Sequence, residues 1–370
     1  MEKRDHPEGE INAPGSENGT KRARTSVFST TTKSSALTVA DEKELKDKEE
    51  TSTALVEAMR TSELQAPTMQ LLGHGDAVHT MRFSPNGNNI ASGGFDRRIF
   101  LWKVFGDCDN YGILTGHKNC IQEVQWSTDN ARVLSASADK TVGIWDVETG
   151  NRLRKLADHN GVVNSIATAR LDEHLLVSGS DDCTAKLWDP RQKSCTFSFD
   201  HEYQVFSVRL NSVGTTMYSA GLDGLIRVWD VKKPLDPIIV LKGHSDLVTG
   251  IDIDSSDSFV ASIGMDNQVR IWDVKPFVEG GDDNRCTRIL EGSVQNFEKL
   301  LLRCSWSRDG RKVAAGSADS TACAWDVASS KLLYKLPGHK GPVREVVFHP
   351  NQPILGSCSS DRTILIGEIE

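Results

Sequence analysis

Histidine, serine and aspartate recur together along this chain at fixed distances. His117 is followed by Ser135 and Asp139, and His159 by Ser178 and Asp182. These are the groups of acyl-transfer catalysis, in which a His takes the Ser proton and an Asp orients the imidazole. That chemistry needs one such set at one pocket. Here the His-to-Asp separation is 22 residues in five units and 23 in another, and a Ser lies four residues before the Asp in six units. Sets repeated in register are structural. No catalytic residue is therefore expected, and the chain is expected not to be an enzyme. It has no P-loop, no G-x-G-x-x-G, no clustered metal ligands and no paired carboxylates outside the repeat, so neither cofactor nor metal is expected.

A fourth residue type keeps the same register. Trp102, Trp145, Trp188, Trp229, Trp272 and Trp325 each lie six residues after an Asp: Asp96, Asp139, Asp182, Asp223, Asp266 and Asp319. Asp361 begins the seventh case, but Gly367 fills its Trp slot. His74, His244 (with Ser262) and His339 complete the set, and the sixth unit has Ala315 and Ser293 where its Ser and His belong.

Hairpins must hold these residues. Around each Asp, short alternating runs meet at a turn, as in Val133 to Trp145, with the Asp at the turn and the Trp on the second strand. Another strand precedes the pair (Val78 to Phe83), a turn such as Ser84-Pro85-Asn86-Gly87 follows it, and a fourth strand such as Lys331 to Leu336 leads to the next unit. Each unit is a four-stranded meander, too small to be stable alone. Residues 65–370 divide into seven units of about 44 residues. Arranged radially, they bury each sheet against its neighbours. The unit ending at Glu370 lacks a fourth strand, and residues 66–72 can supply it, closing the ring and removing two exposed edges. This strand is also expected to compensate for the Trp missing at Gly367. The sixth unit carries extra length over Lys275–Arg288 and Gly292–Lys299, read as loop insertions where partners can bind.

The sequence thus resembles the WD-repeat family over nearly all of 65–370. The resemblance implies an all-β, seven-bladed WD-repeat β-propeller in which the His, Ser, Asp and Trp of a repeat form one hydrogen-bonded network.

Residues 1–64 differ in composition. Phe28 is their only aromatic, residues 25–38 are mostly Ser and Thr, and residues 41–50 are nearly all charged, so a disordered N-terminal tail is expected. Within it, residues 39–63 can form a helix that orders only against a partner, and Lys21-Arg22-Ala23-Arg24 matches a short nuclear import signal or a solvated charge cluster. The formal net charge is −8; the tail has 10 basic and 13 acidic residues, leaving 33 and 38 in the body. Neither part has the positive balance of a charge-driven nucleic-acid binder. No apolar run is long enough for a membrane helix, and Met1 to Pro7 has no signal core. Eight dispersed cysteines fit reduced thiols in a nuclear or cytosolic protein.

A filled propeller offers rims. Alternation places His79, Phe95, Gln122, Phe206, Leu222, Met265 and Arg344 around one mouth of the central channel. The set is apolar with a few polar anchors, which suits a protein-binding surface or packing under neighbouring loops.

Non-repeat stretches narrow the resemblance: Leu64 to Pro67, Phe105 to Tyr111, Tyr203 to Val205, Asn296 to Lys299, Leu302 to Trp306 and Tyr334 to His339. They are similar to the WD-repeat proteins of the U5 small nuclear ribonucleoprotein. This resemblance implies a nuclear, non-catalytic scaffold in pre-mRNA splicing, monomeric within a larger complex. Its implied neighbours are the large U5 core protein, the U5 GTPase and the U5 helicase, with RNA contacted only indirectly. Two other readings stand beside it. Trp188-Asp189-Pro190-Arg191 resembles the WDxR box of substrate receptors for cullin–RING ubiquitin ligases, and the apolar mouth also suits a reader of histone tails or other short peptides.

Overall fold

A computed structural model describes residues 61–172, 174–192, 194–278, 285–296 and 300–369. The tail expected over residues 1–64, with its basic cluster and its helix, lies outside the described residues up to position 60. Residues 61–64 do not belong with it: Leu64 is buried in the core, and Thr61 donates from its N and its Oγ1 to Glu368 at 2.7 and 2.9 Å.

Seven four-stranded antiparallel sheets make a ring of blades. Blade 1 runs from Val78–Phe83 to Asn110–Thr115, and blade 2 from Ile121–Trp126 to Arg152–Leu156. Blades 3 to 6 begin at Val163–Thr168, Val205–Leu210, Val248–Ile253 and Cys304–Trp306. Blade 7 consists of Val343–Phe348, Ile354–Ser359, Thr363–Glu368 and the N-terminal strand Thr68–Leu72. Thr68 pairs with Gly367 and Leu72 with Thr363, so the two ends of the ring meet inside one sheet. The extra length of the sixth unit is shorter than its composition suggests. The outer strand of blade 5 is Cys286–Glu291, so residues 286–288 are sheet, while 279–284 and 297–299 lie outside the described residues.

The first strand of each blade faces the axis, and its polar residues tie one blade to the next. The backbone N of Val124 donates to Thr80 Oγ1 (3.3 Å), that of Ile166 to Glu123 Oε2 (3.0 Å) and that of Val208 to Ser165 Oγ (3.1 Å). The ring continues through Ile251 N to Ser207 Oγ, Trp306 N to Asp252 Oδ2 and Ser305 Oγ to Val346 O, and it returns through Met81 N to Glu345 Oε2. Backbone groups near the axis would otherwise be buried without partners.

Blade 7 lacks the indole, and two neighbours lie around its place. A Cβ added at Gly73, Gly116 or Gly243 would stand 2.9, 3.1 or 2.9 Å from the indole edge of that blade, so the ring packs closely there; blades 3 and 4 carry Asp158 and Asp200 at this position. At Gly338 the neighbour is Leu365 at 2.9 Å. A Cβ added at Gly367 itself would meet Pro67 O and Thr68 Oγ1 at 3.9 Å, so Leu365 and the N-terminal strand both flank the place of the ring.

Candidate protein-interaction site

The recurring polar residues meet inside the blades. In blade 3, Trp188 Nε1 donates to Ser178 Oγ (2.7 Å), Ser178 Oγ lies 2.7 Å from His159 Nε2, and His159 Nδ1 lies 2.8 Å from Asp182. The consistent proton order is indole to hydroxyl, hydroxyl to Nε2, and Nδ1–H to carboxylate. Blades 1, 2 and 5 repeat it through His74, Ser92, Asp96 and Trp102; His117, Ser135, Asp139 and Trp145; and His244, Ser262, Asp266 and Trp272. Blade 7 keeps His339, Ser357 and Asp361. Burial alone would raise Asp139 and Asp182, but hydrogen bonds from His117 and Thr141, and from His159 and Thr184, outweigh it and hold both well below the usual carboxylate range. Ser Oγ is occupied on both sides, leaving no free nucleophile.

Two blades depart. In blade 4, Trp229, Ser219 and His201 are joined, but His201 Nδ1 meets Phe199 O at 3.0 Å, and Asp223 pairs with Arg227 at 2.6 Å. Without a carboxylate, burial pushes His201 down to about 4. In blade 6, Trp325 Nε1 donates to Glu291 O (2.8 Å), Ser293 donates to Gly316 O (2.9 Å), and Asp319 meets Lys335 at 2.7 Å near the surface. The two aspartates should therefore differ in worth. Asp139→Ala strands the His117 and Lys118 donors and is expected to cost ~2–4 kcal/mol. Asp319→Ala removes a half-exposed ion pair and is expected to cost less than ~1 kcal/mol. Urea titrations of the two variants check the ordering, and equal losses would contradict it.

The channel contains a charge cluster that the repeat spacings do not announce. Glu123, fully buried, meets Arg209 at 2.9 Å, Arg303 at 3.0 Å and Arg82 at 3.4 Å, and accepts from Ser165 Oγ at 2.6 Å. Arg82 also pairs with Glu345 (2.7 Å), Arg209 with Asp252 (3.2 Å), and Arg303 donates to Asn164 O (2.6 Å). Burial would raise Glu123, but Arg209, Arg303 and Arg82 outweigh it and hold it at about 2. The available sequence signal is a charged residue on an inner strand, as Glu123 is within Ile121–Trp126.

The mouth on the side of the Asp turns holds the expected surface residues. His79, Gln122, Phe206 and Arg344 are second residues of inner strands, where the register shifts by one. Such a bulge re-aims its side chain, here toward the mouth. Phe95, Leu222 and Met265 sit on the turns before Asp96, Asp223 and Asp266. Phe95 and Leu222 are exposed, and Phe206, Met265 and Gln122 are half-buried. His79 is not a surface group. It is buried under Phe95, bound to Ile121 O at 3.0 Å, and pushed down to about 3 by burial and Arg344. Arg344 is drawn inward; burial pushes it down to about 10, and its Nε has no partner among the described residues. Arg191 sits elsewhere, in an exposed turn whose backbone N donates to Asp189 Oδ1 at 2.9 Å.

Comparison with known proteins agrees with this geometry. The family described as WD domain, G-beta repeat matches residues 65–103, 108–146, 150–189, 193–230, 235–273, 284–326 and 330–366. The U5 small nuclear ribonucleoprotein 40 kDa protein of Dictyostelium discoideum is 45% identical over 84% of this chain and 87% of its own length. The Homo sapiens protein of the same name is 48% identical over 84% and 86%. The pre-mRNA-splicing factor cwf17 of Schizosaccharomyces pombe is 44% identical over 84% and 90%. The repeat register, the closed ring and these near full-length likenesses together place the chain in the WD-repeat family and, within it, in the family of the U5 small nuclear ribonucleoprotein 40 kDa proteins.

Proposed function

We propose that this protein is a non-catalytic protein-interaction scaffold of the U5 small nuclear ribonucleoprotein, working in pre-mRNA splicing in the nucleus. It is monomeric within that assembly and contacts the large U5 core protein, the U5 GTPase and the U5 helicase. RNA is held by the assembly rather than by this acidic chain.

The observation that carries the reading is the mouth around Arg344. Arg344, whose buried Nε has no partner among the described residues, lies near His79 and Phe95 at the mouth that also carries Phe206, Leu222 and Met265. A rigid apolar rim around one polar anchor fits a partner segment that brings apolar side chains and one acceptor. The occupied Ser side chains of the repeats support the absence of chemistry. The names of the relatives support the assembly.

Affinity capture from nuclear extract with the tagged full chain tests this. U5 RNA and the U5 core proteins should be recovered, and the double variant Phe95→Ala/Leu222→Ala should reduce recovery about fivefold or more at unchanged melting temperature. Recovery of a cullin adaptor that disappears with Arg191→Ala, without U5 components, would overturn the reading.

A further inference from the structure

The opposite mouth of the channel has a chemistry of its own. A cavity of about 630 Å³ opens there between the turns that follow the inner strands. Its floor is Arg82, Arg209, Asp252 and Trp306; its apolar walls include Trp126, Leu210, Phe348 and Pro350; and Arg170 and Arg308 stand on its rim.

Two buried donors that line this cavity lack an acceptor among the described residues. Trp306 is buried, and its Nε1 has no partner among the described residues. Trp126 holds the same place in blade 2, and its Nε1 donates to Arg82 O at 3.0 Å, so a satisfied indole is the local norm. Arg82 Nε is also buried without an acceptor. Asp252 is the one carboxylate of the lining, and it is engaged by Arg209 Nε (3.2 Å) and the Trp306 backbone N (2.9 Å).

Charge points the same way. Arg82 and Arg209 are offset by Glu345, Glu123 and Asp252. The exposed Arg170 donates to Ile253 O (3.2 Å) and Arg308 to Asn351 Oδ1 (2.7 Å), and neither rim guanidinium meets a carboxylate among the described residues. His349 adds no charge: burial lowers it, and its Nε2 lies 2.9 Å from Gly87 O.

We infer that this mouth is a second binding site, which takes a carboxylate-bearing peptide segment of a partner protein, its carboxylates on Arg170 and Arg308 and an acceptor on Trp306 Nε1. The apolar walls suit the aliphatic side chains of such a segment. Two rim guanidinia are too few for a nucleic-acid backbone, which is held through many phosphate contacts. The site is independent of the mouth around Arg344, since its lining comes from the other ends of the inner strands.

Fluorescence anisotropy on the full chain tests the inference, with a fluorescein-labelled octapeptide of alternating Leu and Glu, its Leu/Gln counterpart and an oligouridine as probes. The Leu/Glu peptide should bind about tenfold more tightly than the Leu/Gln peptide and weaken with salt. Arg170→Gln/Arg308→Gln should lose about tenfold in affinity at unchanged melting temperature. The indole N–H resonance of Trp306, assigned through Trp306→Phe, should shift on peptide addition. Phe95→Ala/Leu222→Ala should bind the peptide normally, which separates this site from the scaffold reading. Equal binding of the two peptides, an unmoved Trp306 resonance, normal binding by the double Arg variant or tighter binding of oligouridine would each overturn it.

Discussion

Glu123→Ala is expected to be among the most damaging single substitutions in this propeller. The carboxylate touches Arg209, Arg303 and Arg82, which come from blades 4, 6 and 1, and accepts from Ser165 Oγ and Ile166 N of blade 3. Removing it leaves largely buried guanidinia facing one another without their shared counterion. Breaking a buried pair from one side costs about 3–5 kcal/mol, because the remaining charge loses its counterion but not its desolvation penalty. For a domain of this size that corresponds to a fall in melting temperature of about 5–8 °C. Glu123→Gln keeps an acceptor for Ser165 and Ile166 and should fall between the two proteins. Replacing Glu123, Arg209 and Arg303 together by apolar residues should recover part of the loss, as a buried ion cluster can be exchanged for packing. Calorimetry on the three variants checks this, and a Glu123→Ala protein melting like the parent would sink it.

The same cluster sets an acid limit. In the folded chain Glu123 is held at about 2, below the roughly 4.3 of a free Glu. A depressed carboxylate contributes stability that is complete above its unfolded value and is lost as pH falls toward its folded one. The melting temperature should therefore decline between about pH 4.5 and pH 2, and more shallowly in Glu123→Gln, which has no proton to take up there. Asp139 and Asp182, also depressed, steepen the decline in both proteins.

The sequence made the blades legible because each blade is local. A His, Ser, Asp and Trp within one unit of about 44 residues need only a meander to meet, so three spacings encode the whole contact. The departures were less legible for the same reason. Arg227, on the strand that leaves the turn, reaches back to Asp223 in the turn itself, and no spacing rule for the His announces that competitor. Ala315 marks the missing Ser in blade 6, but the Glu291 carbonyl that receives Trp325 is backbone and has no signature. The channel cluster is the extreme case. Arg82, Glu123, Arg209 and Arg303 lie in four different blades, and only the closed ring brings them together. The candidate mouth was half legible: alternation located Phe95, Leu222 and Arg344, but the bulges that turn the second residue of each inner strand depend on the pairing register, and His79 proved to be buried beneath Phe95.

Removing residues 61–72 from the chain should abolish the monomeric fold, an effect larger than that of any point substitution. Strand Thr68–Leu72 supplies five paired residues to Thr363–Glu368, and Leu64 and Leu71 are buried in a cluster with Ile364, Ile366, Phe100 and Trp102. Burying each leucine is worth about 1.5–3 kcal/mol, and domain stabilities are only about 5–15 kcal/mol. The deletion also frees the edge of Thr363–Glu368, whose unpaired N–H and C=O groups can recruit another chain. Aggregation or loss of a cooperative transition is the expected outcome by size-exclusion chromatography and calorimetry. Two point variants separate the strand from its composition. Leu71 faces the core and Gln70 faces solvent, so Leu71→Asp should lower the melting temperature strongly while Gln70→Asp should not move it. A synthetic peptide spanning 61–72, added to the deleted chain during refolding, should restore part of the soluble monomer by pairing with the open edge. A deleted chain that stays monomeric and melts like the parent would show that six complete sheets and a three-stranded seventh suffice, and that the ring does not depend on its own N-terminal strand for closure.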